Sequence, residues 1–403
     1  MGSPLFTWLD AREAEAIRTL EALVNQDSGT YDRDEVNRLA EMLAEPLRQL
    51  GFAPTRFPQE KYGDHWLWEK RGTGPKRLLA VSHIDTVFAK GTAKARPFSI
   101  VRGERTRAMG PGVLDMKGGI VSLLYAFRAL QATESRAWRE ATLAWFLNTD
   151  EEVLSPTSRP HIRAEAERST SVAVTEPARV GGEYVIGRKG AGKYFLEVSG
   201  KAAHAGNQPE VGRSAVWAMA QKICALHAMT DLAEGTTVNV GLVRGGERSN
   251  VVADHCDAEI DLRAWTPESA ARAEARFREI AAHPHVEGTS ARLRGDMNFP
   301  PWPPEERGTI ALLAFVQAAG QELGLALRGI PTGGGSDGNH AWQVAPTIDG
   351  FGPQGTFAHS PDEYIELPTL IERAKVTARF IELWELSTER FERPRDRSLP
   401  PSR

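Results

Sequence analysis

Histidines and carboxylates, the side chains that hold divalent metals and move protons, recur at the ends of apolar runs along this chain. Residues 78–81 lead into Ser82-His83-Ile84-Asp85, and residues 143–147 into Asn148-Thr149-Asp150-Glu151-Glu152. Residues 172–174 lead into Thr175-Glu176, and a less clean run around 346–348 leads through a glycine-rich loop to His359-Ser360-Pro361. Between them, Gly110-Pro111-Gly112-Val113-Leu114-Asp115-Met116-Lys117-Gly118-Gly119 sets Asp115 between a glycine-rich turn and a helix start. Taken singly, a histidine after a strand is ordinarily a polar surface residue, and a Glu-Glu pair in a loop is ordinarily solvated. Together they resist that reading. Adjacent carboxylates directly after a buried strand repel each other and need a cation or a proton to coexist. His83 and Asp85 stand two apart, on one face if the segment is extended, which suits an aspartate orienting a metal-bound imidazole. The expectation is a two-metal hydrolase built around Asp115. Imidazole with carboxylate oxygen favours zinc, with cobalt or manganese as substitutes. The chain has no His-Glu-x-x-His, which excludes a helical single-zinc site, and a Ser/His/Asp esterase is the poorer reading.

The elements that must position these residues read as an α/β fold. Apolar residues at three- and four-residue spacing between 10 and 50 predict two amphipathic helices, with Gly51 placed to stop the second. Residues 65–70, 78–87, 141–147 and 171–175 read as strands and 118–130 as a helix, so strands alternate with helices and a mostly parallel sheet is expected. In such sheets ligands collect at the carboxyl ends of the strands, where the polar clusters fall. From Gly187 the style changes. Strand 194–199, helix 212–229, strands 236–243 and 251–263, a helix capped by Thr266 and Pro267 to about 282, and strand 290–294 give the β-α-β-β-α-β order of a ferredoxin-like unit. The division expected is a catalytic domain over 1–186 and 297–403, interrupted by an inserted domain over 187–296. Pro300, Pro301, Pro303 and Pro304 read as a stiff connection rather than a proline ligand motif. A helix over 309–323 leads to Thr332-Gly333-Gly334-Gly335-Ser336-Asp337, which lacks the Lys-Ser/Thr of a phosphate loop. It is either a backbone nest for a substrate carboxylate or a plain loop. A closing helix over 368–386 precedes an Arg- and Pro-rich tail over 391–403.

Composition sets the outer bounds. A chain of 403 residues with 41% hydrophobic content can bury more than one core. A formal net charge of -4 and a pI near 6.3 speak against a nucleic-acid partner. Cys224 and Cys256 are too few for a disulfide framework and read as buried apolar residues. The first residues lack an apolar leader and no stretch approaches the ~20 apolar residues of a membrane span, so a cytoplasmic location is the expectation.

With these residues in place, the chain resembles the family of di-zinc hydrolases that includes glutamate carboxypeptidase, succinyl-diaminopimelate desuccinylase, acetylornithine deacetylase and the aminoacylases. The resemblance runs from about residue 15 to 388. It rests on Ser-His-Ile-Asp-Thr-Val (82–87), Gly-Val-Leu-Asp-Met-Lys-Gly-Gly (112–119), Thr-Asp-Glu-Glu (149–152), Thr-Glu-Pro (175–177) and His-Ser-Pro (359–361). It implies that His83 and Glu176 hold one zinc, Glu152 and His359 the other, and that Asp115 bridges both. Glu151 is then the general base and Asp85 the partner of His83, with a non-proline cis peptide after Asp115. His204, in Gly-Lys-Ala-Ala-His-Ala-Gly (200–206), resembles the family's oxyanion-stabilising histidine, which in dimeric relatives enters the partner subunit's active site. Asn250 and Arg263 resemble positions that hold a substrate carboxylate, as would Gly334, Gly335 and Ser336, while Lys189 matches only loosely. The resemblance implies two Zn2+ per subunit, a homodimer, and a small peptide or N-acyl amino acid as substrate. Glu rather than Asp at 176 favours carboxypeptidases and deacylases, with C-terminal glutamate release the leading expectation and N-acyl amino acid hydrolysis the alternative. A catalytically silent binding protein on the same scaffold would be marked by a lost ligand, and none of the five is lost.

Overall fold

The computed structural model describes residues 3–388, and the expected tail over 391–403 lies outside the described residues. The chain forms two compact units, one of Met1–Gly187, Pro304–Pro331 and Ser336–Arg403, the other of Arg188–Pro303 with Thr332–Gly335.

Among the described residues, the first unit is built on an eight-stranded sheet. Its centre is four parallel strands in the order Thr142–Asn148, Arg77–His83, Ser171–Val174, Thr347–Asp349. Antiparallel Ala53–Phe57 and His65–Lys70 flank one side, and Tyr184–Arg188 and Gly329–Thr332 the other. Every residue of Arg77–His83 is buried, as expected of a strand covered on both faces. Its apolar side chains alternate accordingly. Leu78 and Ala80 join the large core under the helices Gly118–Ala132 and Pro368–Leu386, while Leu79 and Val81 join a smaller core with Ile162 and Ala166 of Arg159–Glu167. Burying each such leucine or valine contributes roughly 1.5–3 kcal/mol. The parallel register then sets His83 opposite Asn148, Val81 opposite Val174, and Val174 opposite Asp349. All these strands therefore release their polar followers at one edge of the sheet.

Two helices expected near the start are Glu13–Val24 and Arg33–Gln49, with Gly51 at φ 81° closing the second, and a further short helix, Pro4–Asp10, precedes them. The strand expected over 78–87 stops at His83, and the Ile84 N–H makes the last bond to the neighbouring Thr142–Asn148, at 2.9 Å from the Asn148 carbonyl. A second, five-stranded sheet of pieces two to five residues long, including Arg107–Met109, Tyr364–Glu366 and Gly352–Thr356, was not legible in the sequence. Strands so short show no period.

The second unit has the expected β-α-β-β-α-β order. Its antiparallel four-stranded sheet runs Thr237–Gly245, His255–Ala264, Gly190–Ser199, Ser290–Phe299. Helices Ala215–His227 and Pro267–Ala282 bury one face of it, the latter begun by a capping box between Thr266 and Ser269. The unit continues to Pro303, beyond the residue 296 expected, because its last strand is longer and Trp302 pairs with Arg188 in an antiparallel bridge. Thr332–Gly335 also joins it, as Arg188 donates to the Gly334 and Gly335 carbonyls at 3.0 and 3.1 Å. Cys256 is buried, but Cys224 is exposed, on the outward side of Ala215–His227 rather than in the core.

Candidate metal centre

At the shared edge of the parallel strands, the expected ligands of the first unit meet. Asp115 lies in the irregular turn Val113–Lys117, followed by a cis peptide to Met116 as the resemblance implied. Its two oxygens serve different imidazoles, Oδ1 lying 2.9 Å from His83 Nε2 and Oδ2 3.1 Å from His359 Nε2. His83 Nε2 also lies 3.6 Å from Glu176 Oε1, and His359 Nε2 3.1 Å from Glu152 Oε2. Ligand atoms of His83, Asp115 and Glu152 lie within 4.8 Å of one another, as do those of His83, Glu151 and Glu176. The carboxylate of Asp115 thus stands between one imidazole–carboxylate pair and another.

Asp85 does more than face His83. Its backbone carbonyl lies 3.0 Å from His83 Nδ1 and its carboxylate 3.5 Å. The same carboxylate accepts the Thr30 hydroxyl at 2.8 Å and the N–H groups of Glu151 and Glu152 at 3.3 Å. One buried aspartate therefore orients an imidazole and anchors the turn Glu151–Val153 that carries the glutamate pair.

The protonic balance of this cluster calls for added positive charge. Burial raises Glu151 well above the usual carboxylate range, reinforced by Glu176, Asp337 and Glu152 despite the opposing charge of His83, and burial raises Glu152 as well. Burial also pushes Asp115 up, yet the hydrogen bonds from His359 and His83 win and leave it low. His359, bonded to Asp115 and Glu152, rises to about 10. Burial presses His83 down, but Asp115 and Asp85 more than reverse it. Glu152 Oε1 is buried with no hydrogen-bond partner. An orphaned carboxylate oxygen among closely set O and N donors fits divalent cations of the zinc, cobalt or manganese class.

Sequence reasoning missed the residues behind the ligands. Glu363, 1% exposed, accepts the N–H of Gly112 at 3.0 Å on Oε2 and those of Leu114 and Asp115 at 2.8 and 3.0 Å on Oε1. Burial outweighs these bonds and lifts its pKa to about 7. Asp337 accepts Ser155 Oγ and Asn148 Nδ2, each at 2.5 Å, and burial lifts it to about 7. The signal for Glu363 was its place four residues after His359, which the residues alone did not separate from a surface acid.

The remaining expected residues fall elsewhere. Ser336 is fully buried, its hydroxyl donated to Asp349 at 2.8 Å and accepting the Gly338 N–H at 3.1 Å. Through these two bonds it braces a turn. The Gly334 and Gly335 carbonyls accept from Arg188, whereas the nest reading concerns their N–H groups. His204, Asn250 and Arg263 belong to the second unit. His204 Nδ1 accepts the N–H of Gly206 and of Asn207, each at 3.1 Å, which leaves Nε2 to carry the proton of the neutral ring. The Asn250 carbonyl accepts the Ala205 N–H at 3.0 Å, tying its loop to that of His204. Arg263 is held by Asp261, through Nε at 2.9 and 3.1 Å and Nη2 at 2.9 Å.

A family model described as peptidase family M20/M25/M40 matches residues 79–383. Carboxypeptidase G2 of a Pseudomonas species is 30% identical over 385 residues, covering 94% of this chain and 91% of that protein. Succinyl-diaminopimelate desuccinylase of Bordetella petrii is 26% identical over 357 residues, covering 85% and 91%. Among solved structures, an M20 family metallo-carboxypeptidase from Sulfolobus solfataricus superposes with a TM-score of 0.74 at 17% identity, covering 93% of this chain and 100% of that one. Among the described residues, no helix is long and apolar enough to cross a membrane. The chain belongs to peptidase family M20/M25/M40 and is an enzyme of that metallopeptidase family.

Proposed function

We propose that this enzyme hydrolyses an amide bond next to a free α-carboxylate, releasing a C-terminal amino acid, with glutamate as the preferred one. The observation that carries the reading is the Asp115 carboxylate shared between His83 and His359, each beside a further carboxylate, Glu176 or Glu152. In this reading His83 and Glu176 would hold one ion and Glu152 and His359 the other, Asp115 would serve both, and zinc would be the resident metal. Two such ions would supply the Lewis acidity that polarises an amide carbonyl and lets water attack at neutral pH.

The chain's own residues do the rest. Glu151 accepts the proton of the attacking water and returns it to the departing nitrogen, giving a carboxylate and an amine. Glu152 cannot share that task while its oxygens bind metal. His204, with its ring proton on Nε2, donates to the oxyanion of the tetrahedral intermediate. Asp261 fixes Arg263 as a planar fork for the substrate's carboxylate, and Asn250 lies on the His204 loop as a further polar contact. A homodimer is part of the proposal. Thr237–Gly245 is an edge strand; its Leu242 and Val243 and, on the helix Ala215–His227, Trp217 are 47%, 49% and 60% exposed.

Similarity to a desuccinylase over most of the chain favours a second reading, removal of an acyl group from an N-acyl amino acid. Both readings use the same residues, and both depend on Glu151. Glu151→Gln should therefore retain metal while turnover falls by about 10²–10⁴-fold or more. A variant turning over at the wild-type rate would remove Glu151 from the mechanism.

A further inference from the structure

We infer that Glu363 is a positioning residue for the metal centre, a clamp that registers the His359 loop against the Asp115 turn. The inference rests on the metal-centre reading above and adds to it a residue outside the ligand set. Its side chain is buried and both oxygens are committed to one stretch of backbone, the N–H groups of Gly112, Leu114 and Asp115. That stretch carries the shared carboxylate. Glu363 itself follows His359 within the same loop, and the next residues pair with the strand before the turn, Tyr364 with Met109 and Ile365 with Ala108.

Geometry explains why a side chain is needed. The strand pairing ends at Met109, and the chain then leaves the sheet through Gly110 and Gly112 at φ 147° and 71°. From Gly112 to the helix beginning at Gly118, three buried or part-buried backbone donors, those of Gly112, Leu114 and Asp115, would otherwise lack these acceptors. Glu363 supplies the acceptors and fixes where Asp115 leaves the backbone. His359, at φ 66° and half exposed, has far less packing to hold it, so its distance to Asp115 Oδ2 depends on the loop that Glu363 pins. A carboxylate suits this task because it accepts on both oxygens. Glutamine keeps one acceptor, enough for the Leu114 and Asp115 N–H groups on Oε1, and sets its amide donor against the N–H of Gly112.

The test is metal affinity, read without substrate. The full-length apoprotein, Glu363→Gln and Glu363→Ala are titrated with Co2+ against a chromogenic chelator, with the d–d absorbance recorded, at a temperature where circular dichroism shows each folded. The expected result is a loss of about 10–100-fold in affinity for Glu363→Ala. Glu363→Gln should fall between it and the wild type, with an altered cobalt spectrum. If the alanine variant does not fold, the glutamine variant carries the test by the same two readouts. Folded variants with the wild-type affinity and spectrum would overturn the clamp while leaving the metal centre intact. A wild type that binds no cobalt would overturn both.

Discussion

At the residue scale, the chemistry turns on which atoms are already spoken for. Asp115 has an oxygen for each imidazole, and Glu152 keeps one oxygen without a partner, an arrangement that suits the shared and terminal ligand roles proposed for them. These residues stood out in the sequence by their place after an apolar run or a glycine-rich turn, while their division into shared and terminal ligand came only from the resemblance. Asp85 was legible as the partner of His83, but its grip on the Glu151 and Glu152 backbone was not, since that contact spans more than sixty positions of chain. The bond from the Ser336 hydroxyl to Asp349, thirteen residues on, was hidden for a related reason, since nothing local in the sequence marks it. Arg263 carries the prediction at this scale. Removing a charged hydrogen-bond partner of a carboxylate costs about 1.5–3 kcal/mol, so Arg263→Ala should raise KM for carboxylate-terminated substrates by roughly 10–100-fold with a smaller change in kcat. Steady-state kinetics check it, and an unchanged KM would take the substrate carboxylate elsewhere.

At the element scale, apolar periodicity revealed the buried strands and the long helices, because a face that must be covered leaves a repeating trace. The helix expected over 368–386 is observed as Pro368–Leu386, and the helix over 118–130 as Gly118–Ala132. The short second sheet left no such trace, although it brings Tyr364–Glu366 beside Arg107–Met109 and so carries the His359 loop to Asp115. Close packing at Gly119 ties one helix to one ligand. A Cβ there would lie 2.0 Å from the Thr175 carbonyl oxygen, which belongs to the backbone just before Glu176 and has little room to yield. Gly119→Ala should accordingly cost about 1–3 kcal/mol and lower Tm by several degrees, with weaker metal binding in the folded remainder. Differential scanning calorimetry of the apoprotein would show it. A Tm equal to that of the wild type would mean the helix shifts freely and does not position Glu176.

At the scale of the whole molecule, the chain divides into two units: the proposed metal ligands lie in one, and His204, Asn250 and Arg263 lie in the other. The β-α-β-β-α-β order was readable because each strand and helix of the second unit has its own turn or cap, as at Thr266 and at Gly245-Gly246. Its far boundary was not, because the last strand runs on through Phe299 with no change in composition. The proposed dimer is tested on the exposed edge. Trp217→Glu with Val243→Arg should shift the mass in solution from a dimer toward the 44.2 kDa of a single chain, as read by light scattering. A dimer unaffected by both changes would place the interface on another surface.

The most direct test of metal-dependent hydrolysis beside a free carboxylate is one activity panel on the zinc-loaded enzyme, with a chelated and then reloaded control. It sets peptidyl and N-acyl glutamates beside N-acetyl amino acids and dipeptides with a free amine. The predicted result is release of glutamate that chelation abolishes and zinc restores, with the free-amine dipeptides spared. Hydrolysis that persists in the fully chelated enzyme, or that is confined to the free-amine dipeptides, would contradict it.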